Sequence, residues 1–153
     1  LYKKELDIVK IISKLKYAFT STLIKKGQSI IIKKNDNEDI INLIAYDDLY
    51  LGFFILFENA IKYAPMNSNI IVNISCVNEC INISIENESK NIEETSMLIT
   101  RGFQGNNHKD GNGLGLSIAY DIFCESNLSF SVEYLNSKFI CKIQANDVRV
   151  LSK

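Results

Sequence analysis

The chain is expected to fold as an α/β two-layer sandwich, with a mixed, mostly antiparallel sheet packed on helices. Three observations carry that expectation. Two long stretches place apolar residues at three- and four-residue steps, the period of one helical face. Two pairs of short segments alternate apolar and polar residues across a tight connection, the pattern of hairpins with one buried face. Helical and strand segments are segregated along the chain rather than strictly alternating, which favours helices covering one face of a hairpin-built sheet.

The elements follow in order. Residues 4–26 read as an amphipathic helix, with Ile8, Ile12, Leu15, Phe19 and Leu23 on one face and Gly27 as its stop. Residues 29–34 form a short β-rich run. Residues 35–39 (NDNED) are a turn by composition, and 40–46 a second strand. Asp47 or Asp48 caps a helix over 48–64, because a carboxylate accepts the orphan backbone N–H groups of a first turn. Its inward stripe is Leu49, Phe53, Phe57, Ile61 and Ala64, and Pro65 ends it. Residues 70–77 and 80–87 pair as a hairpin. Asn87 shares the parity of Ile81, Ile83 and Ile85, so it is expected to point inward at the strand's end. A short helix over 92–100 and a loop over 100–112 follow. A helix over 113–126 turns Leu116, Ala119, Tyr120 and Phe123 inward. Strands 128–135 and 138–145 close the fold.

The 153 residues make one domain the default, and roughly two-thirds of the unfolded surface is buried at that size. The net charge is −1, but residues 1–34 hold nine of the seventeen basic residues against Glu5 and Asp7 alone. A leading basic segment of this kind meets an acidic partner or membrane surface, or forms a solvated helix face. The apolar run 49–57 falls well short of the ~20 residues of a membrane span. Cys76 and Cys80 stand in C-x3-C spacing with no second Cys/His pair to complete a zinc site, so reduced core thiols are expected.

Two segments carry candidate chemistry. Asn59, Lys62 and Tyr63, in Asn59-Ala60-Ile61-Lys62-Tyr63, put an amide, an ammonium and a phenol on the helix 48–64. The amide oxygen is a ligand for a hard divalent cation, and the ammonium is a point charge suited to phosphate. An amphipathic helix with ordinary polar outer residues would show the same types. Some fifty residues on, Gly111, Gly113 and Gly115 form a side-chain-poor run into a helix start, where backbone N–H groups hold phosphate.

This pair, in this order, resembles the ATP-binding catalytic domain of sensor histidine kinases, of the superfamily shared with gyrase and the mismatch-repair ATPases. The likeness covers roughly residues 4–146 and implies the Bergerat fold. It implies Mg2+ on Asn59, ATP phosphates on Lys62 and on Gly111, Gly113, Leu114, Gly115 and Leu116, and the base near Tyr63, Asn87, Asn91 and Ile92. Arg101 and Phe103 resemble the family's lid arginine and aromatic, so Asn59, Lys62 and Arg101 are the expected catalytic set. Two departures stand out. Ile55 replaces the second amide or the water-activating glutamate that the family carries one turn before the magnesium Asn. The first glycine box is degenerate: Asn87-Glu88-Ser89-Lys90-Asn91-Ile92 has Asn for the usual Asp, and Ser89 and Asn91 for glycines.

The resemblance further implies a cytoplasmic location, as the cytoplasmic part of a membrane-bound sensor or otherwise. The partners would be an upstream dimerisation domain bearing the acceptor histidine and a response regulator, with a homodimer only in the full-length protein and no nucleic acid. Residues 1–26 would join on to the upstream domain, 27–146 would be the catalytic domain and 147–153 a tail. His108, in the loop, reads as an incidental surface residue. A degenerate regulatory module that binds nucleotide without catalysis is the rival reading, and an anti-sigma-factor-type serine kinase a third.

Overall fold

The computed structural model describes residues 2–35, 41–89, 112–145 and 148–149. Its strands are β1 (Lys4–Asp7), β2 (Ser29–Lys34), β3 (Asn42–Ala45), β4 (Asn69–Val77), β5 (Cys80–Glu88), β6 (Ser129–Leu135), β7 (Lys138–Ala145) and β8 (Val148–Arg149). Its helices are α1 (Ile8–Ala18), α2 (Thr20–Lys26), α3 (Leu49–Tyr63) and α4 (Asn112–Glu125). The expected short helix 92–100 lies outside the described residues, as does the expected loop 100–112 except for Asn112, which begins α4.

A five-stranded sheet runs in the order β2-β4-β5-β7-β6. Only β2 and β4 pair in parallel; the other three pairings are antiparallel. One face of this sheet is apolar and covered by helices. Ile70, Val72 and Ile74 of β4, Ile81, Ile83 and Ile85 of β5, and Phe139, Cys141 and Ile143 of β7 are all buried on it. The alternation read from the sequence therefore selects the core face correctly, since side chains two apart share a face. The α/β sandwich is the observed architecture.

α3 and α4 lie together across that face. All five expected stripe residues of α3 are buried, and Gly52, Leu56 and Ala60 join them. Gly52 permits the approach: a Cβ there would sit 3.1 Å from both Ile122 Cγ2 and Phe123 Cζ of α4. Phe53 meets Phe123 edge-on at 5.3 Å between ring centroids. This contact rotates α4 so that Leu116, Ala119, Ile122 and Phe123 face in. Tyr120, expected inward, is instead 37% exposed.

The leading segment departs most from expectation. Lys4–Asp7 is a strand rather than the opening of a helix, and it pairs antiparallel with β3. Asp7 then caps α1, its carboxylate accepting from the Lys10 N–H at 3.1 Å. The helical run breaks at Phe19, just before Thr20-Ser21-Thr22, whose hydroxyl side chains compete with the helix for backbone partners. Thr20 Oγ1 donates to the Tyr17 carbonyl at 2.6 Å. Ile8, Ile12, Leu15 and Leu23 belong to the same buried cluster as the sheet and α3. Val148–Arg149, expected in a tail, pair with β3 on its other edge, giving a second sheet in the order β1-β3-β8.

Candidate functional site

α3 runs between two elements that carry the other candidate groups, packing against α4 on one side and β5 on the other. Asn59 sits half-buried one turn before the end of α3. Lys62 is exposed, with its ammonium 5.5 Å from the centroid of the half-buried Tyr63 ring. Ile55 packs against the core from the same helix. Its Cγ2 lies 3.6 Å from where a Cβ on Gly115 would stand. Asn59 follows Ile55 by one turn, about 6 Å along the axis. Asn59 thus lies one turn beyond the residue of α3 that meets Gly115 of α4.

The two helix ends carry opposite polarity. The first turn of α4 presents backbone N–H groups without intrahelical partners, and its dipole favours negative charge. Asn59 lies in the last turns of α3, where the dipole favours a cation. Gly115 turns its Cα hydrogen toward Ile55, where a Cβ would be in ordinary van der Waals contact at 3.6 Å. Among the described residues no three His, Cys, Asp or Glu side chains gather to hold a metal ion. An amide oxygen such as that of Asn59 is of the chemical type that a hard divalent cation takes as a ligand.

Asn87, at the end of β5, is 2% exposed, as its parity demanded. Its amide nitrogen donates to the Glu88 carbonyl at 2.9 Å, which leaves the oxygen as the group to accept from a ligand. Ser89, where the family has glycine, is also buried. Its N–H donates to the Ser137 carbonyl at 2.9 Å, and its own carbonyl accepts from Tyr134 Oη at 2.9 Å. The β6–β7 hairpin thus holds Ser89, the residue that follows β5. A cavity of about 320 Å³ opens beside Asn87, bordered by Pro65, Met66, Asn67, Ser68 and Lys138. Asn91, Ile92, Arg101, Phe103, His108 and Gly111 lie outside the described residues.

Two residues that the sequence did not single out bear on the site. Lys26 and Gln28, at the α2–β2 corner, both reach the C-terminal end of α3. Lys26 donates to the carbonyls of Ile61 and Lys62, and burial lowers its pKa. Gln28 is buried and its Nε2 faces the carbonyls of Ile61, Ala64 and Pro65 at 3.3, 3.0 and 3.2 Å. Pro65 is the only local hint, because a proline leaves the carbonyl four residues earlier without its usual donor.

Known proteins resemble this chain in sequence and in fold. Residues 45–146 match the family described as histidine kinase-, DNA gyrase B-, and HSP90-like ATPase. The heme sensor protein HssS of Staphylococcus epidermidis is 31% identical over 99 residues, which cover 58% of this chain and 22% of that protein. The sensor histidine kinase HprS of Escherichia coli is 35% identical over 91 residues, covering 58% of this chain and 20% of that protein. The chain therefore matches about a fifth of the length of these curated relatives. In fold it is similar to the catalytic domain of histidine kinase ThkA, with a TM-score of 0.81 at 18% identity over 94% of this chain and 97% of that one. It is likewise similar to a mycobacterial sensor histidine kinase, MprB, with a TM-score of 0.74 at 14% identity over 97% and 99%. With two-thirds of its length inside the family match and its fold shared with kinase catalytic domains, the chain belongs to the histidine kinase-, DNA gyrase B-, and HSP90-like ATPases.

Proposed function

We propose that this domain binds Mg-ATP and supplies its γ-phosphate to a histidine on a separate dimerisation domain of a two-component sensor kinase. The observation that carries the reading is the placement of α3 between β5, with the buried acceptor Asn87, and α4, with its glycine-rich first turn. Asn87 accepts from the adenine amino group. Asn59 ligates the metal, and Lys62 and the α4 backbone neutralise phosphate charge. Bound magnesium would supply charge neutralisation at the phosphates. What the chain contributes is positioning and electrostatics, which is how phosphoryl transfer is catalysed in general. Arg101 and Phe103 would complete the site from the lid, with Asn91 and Ile92 on the base.

The dimerisation domain, a response regulator and a homodimer of the full-length protein belong to this proposal. One relative in fold, ThkA, has been solved in complex with its response regulator TrrA. No helix among the described residues is long and apolar enough to cross a membrane. A cytoplasmic location is part of the proposal. The leading segment would join an upstream domain.

Ile55 favours a second reading, a regulatory module that binds nucleotide without transferring phosphate. An isoleucine neither ligates a metal nor activates water, so rapid ATP hydrolysis is not expected. Mixing the domain with ATP and the dimerisation domain of a related sensor kinase separates the two. Acid-labile phosphate on the added domain supports the kinase. Nucleotide binding without label supports the module. No heat of binding at millimolar Mg-ATP would refute both.

A further inference from the structure

We infer that Gln28, assisted by Lys26, is a positioning residue for the Asn59–Lys62 turn of α3 and sets the preference of the site for metal-bound nucleotide. The inference rests on the reading of Asn59 above. It starts from Pro65. In a continuing helix the N–H of residue 65 would satisfy the Ile61 carbonyl, and proline has no N–H. That carbonyl lies within one turn of Asn59 and in the peptide preceding Lys62. It is taken instead by two side chains from a distant corner of the chain, Gln28 Nε2 at 3.3 Å and Lys26 Nζ.

The same Gln28 amide faces the Ala64 carbonyl at 3.0 Å and the Pro65 carbonyl at 3.2 Å, while Lys26 also reaches the Lys62 carbonyl at 3.4 Å. The tie runs both ways, since the Asn67 N–H donates to the Lys26 carbonyl at 2.9 Å. Gly27, between the two donors, has φ of +63° and caps α2 in the left-handed conformation. That turn sends both neighbouring side chains toward the end of α3.

A second observation bears independently on Gln28. Its Oε1 is buried without a hydrogen-bond partner among the described residues. Burying an unmet acceptor is unfavourable. An apolar residue would avoid that burden, but it would leave the α3 carbonyls with fewer donors. The fold keeps the buried amide where the end of a ligand-bearing helix must be held in one place. None of the Gln28 hydrogen bonds reaches Asn59; they fix the backbone from about half a turn beyond it, and so constrain where its amide stands, as groups behind a metal ligand do.

The test is calorimetric titration of the 153-residue chain with ADP, with and without Mg2+, in the wild type, Gln28→Met, Lys26→Met and Asn59→Ala. The expected wild type binds ADP more tightly with Mg2+, and Asn59→Ala abolishes that gain. Gln28→Met, close in volume, should shrink the gain by about tenfold, the usual size of an outer-shell effect. Its affinity for metal-free ADP should stay within about twofold, because the base contact is made by Asn87 on β5. Equal weakening with and without Mg2+ would mark Gln28 as merely structural and overturn the inference; so would an unchanged gain. Should Gln28→Met fail to fold, the partly exposed Lys26→Met decides by the same comparison. A wild type with no Mg2+ gain, or a gain that survives Asn59→Ala, overturns the reading of Asn59 and the inference together.

Discussion

Replacing Asn87 by leucine tests the base-recognition end of the site. Asn87 is buried at the end of β5, with its nitrogen committed to the Glu88 carbonyl. The amide oxygen is the acceptor that this side chain can offer a ligand. Leucine has nearly the same volume and the strand is paired along its length with β7, so the sheet should persist. What is lost is one acceptor facing a buried amino group, about 1–3 kcal/mol, or roughly a 5- to 150-fold weaker Kd for ATP. GTP presents a carbonyl where ATP presents that amino group. The wild type should therefore prefer ATP by a similar factor, and Asn87→Leu should bring the two nucleotides together. Parallel titrations of ATP and GTP into both proteins measure this. An Asn87→Leu variant that binds ATP within twofold of the wild type, or a wild type that does not discriminate, would refute the role given to Asn87.

Other outcomes are expected at separate places in the fold. Ile55→Asn removes the isoleucine against Gly115 and offers a second amide one turn before Asn59; phosphotransfer to a supplied acceptor domain should rise roughly tenfold. No rise, with nucleotide binding intact, would favour the regulatory module. Gly27→Ala forces a Cβ at φ +63° to within 2.1 Å of Asn67 Oδ1, at a cost of about 1–2 kcal/mol. Its melting temperature should fall by roughly 2–8 °C; an unchanged value would contradict the described corner. Burial pushes the Cys141 thiol from 9.0 up to about 12. Above pH 9 the unfolded thiol loses its proton while the folded one keeps it, so this contribution to stability is intact below pH 9 and is lost as pH rises toward 12. The slope is at most about 1.4 kcal/mol per pH unit. Urea unfolding at pH 7 and pH 10 should show a smaller alkaline loss for Cys141→Ala than for the wild type, and equal losses would refute it.

Where an element depends on its own periodicity, the sequence discloses it. The stripe of α3 and the inward face of β4, β5 and β7 could be read residue by residue, and so could the inward turn of Asn87. β1 could not, because Lys-Glu-Leu-Asp has no telling alternation and its partner β3 lies more than thirty residues on. β8 is two residues long and is defined only by the strand it meets. Tyr120 was misplaced because the rotation of α4 is set by the close approach at Gly52, a contact between distant segments. At the site, Asn59, Lys62 and Gly115 announce themselves by residue type and spacing. Lys26 and Gln28 do not, since a helix cap supplied from thirty or more residues away leaves no pattern at the donors; Pro65 marks only the carbonyl that needs one.

The small sheet has a mechanical consequence. β1 and β8 lie on opposite edges of β3 and run in the same direction, both antiparallel to it. Lys4 meets Ala45 at one end of β3, whereas Arg149 meets Asn42 at the other. Tension applied through the leading and trailing chain would draw β1 and β8 lengthwise in opposite senses across β3. That loads the ladder in shear, where the bonds resist together, rather than peeling them one at a time. β8 contributes two paired residues and β1 four, so the trailing edge would yield first. The leading edge would go on transmitting force through Asp7 into α1, and from there into the core against which α3 is packed.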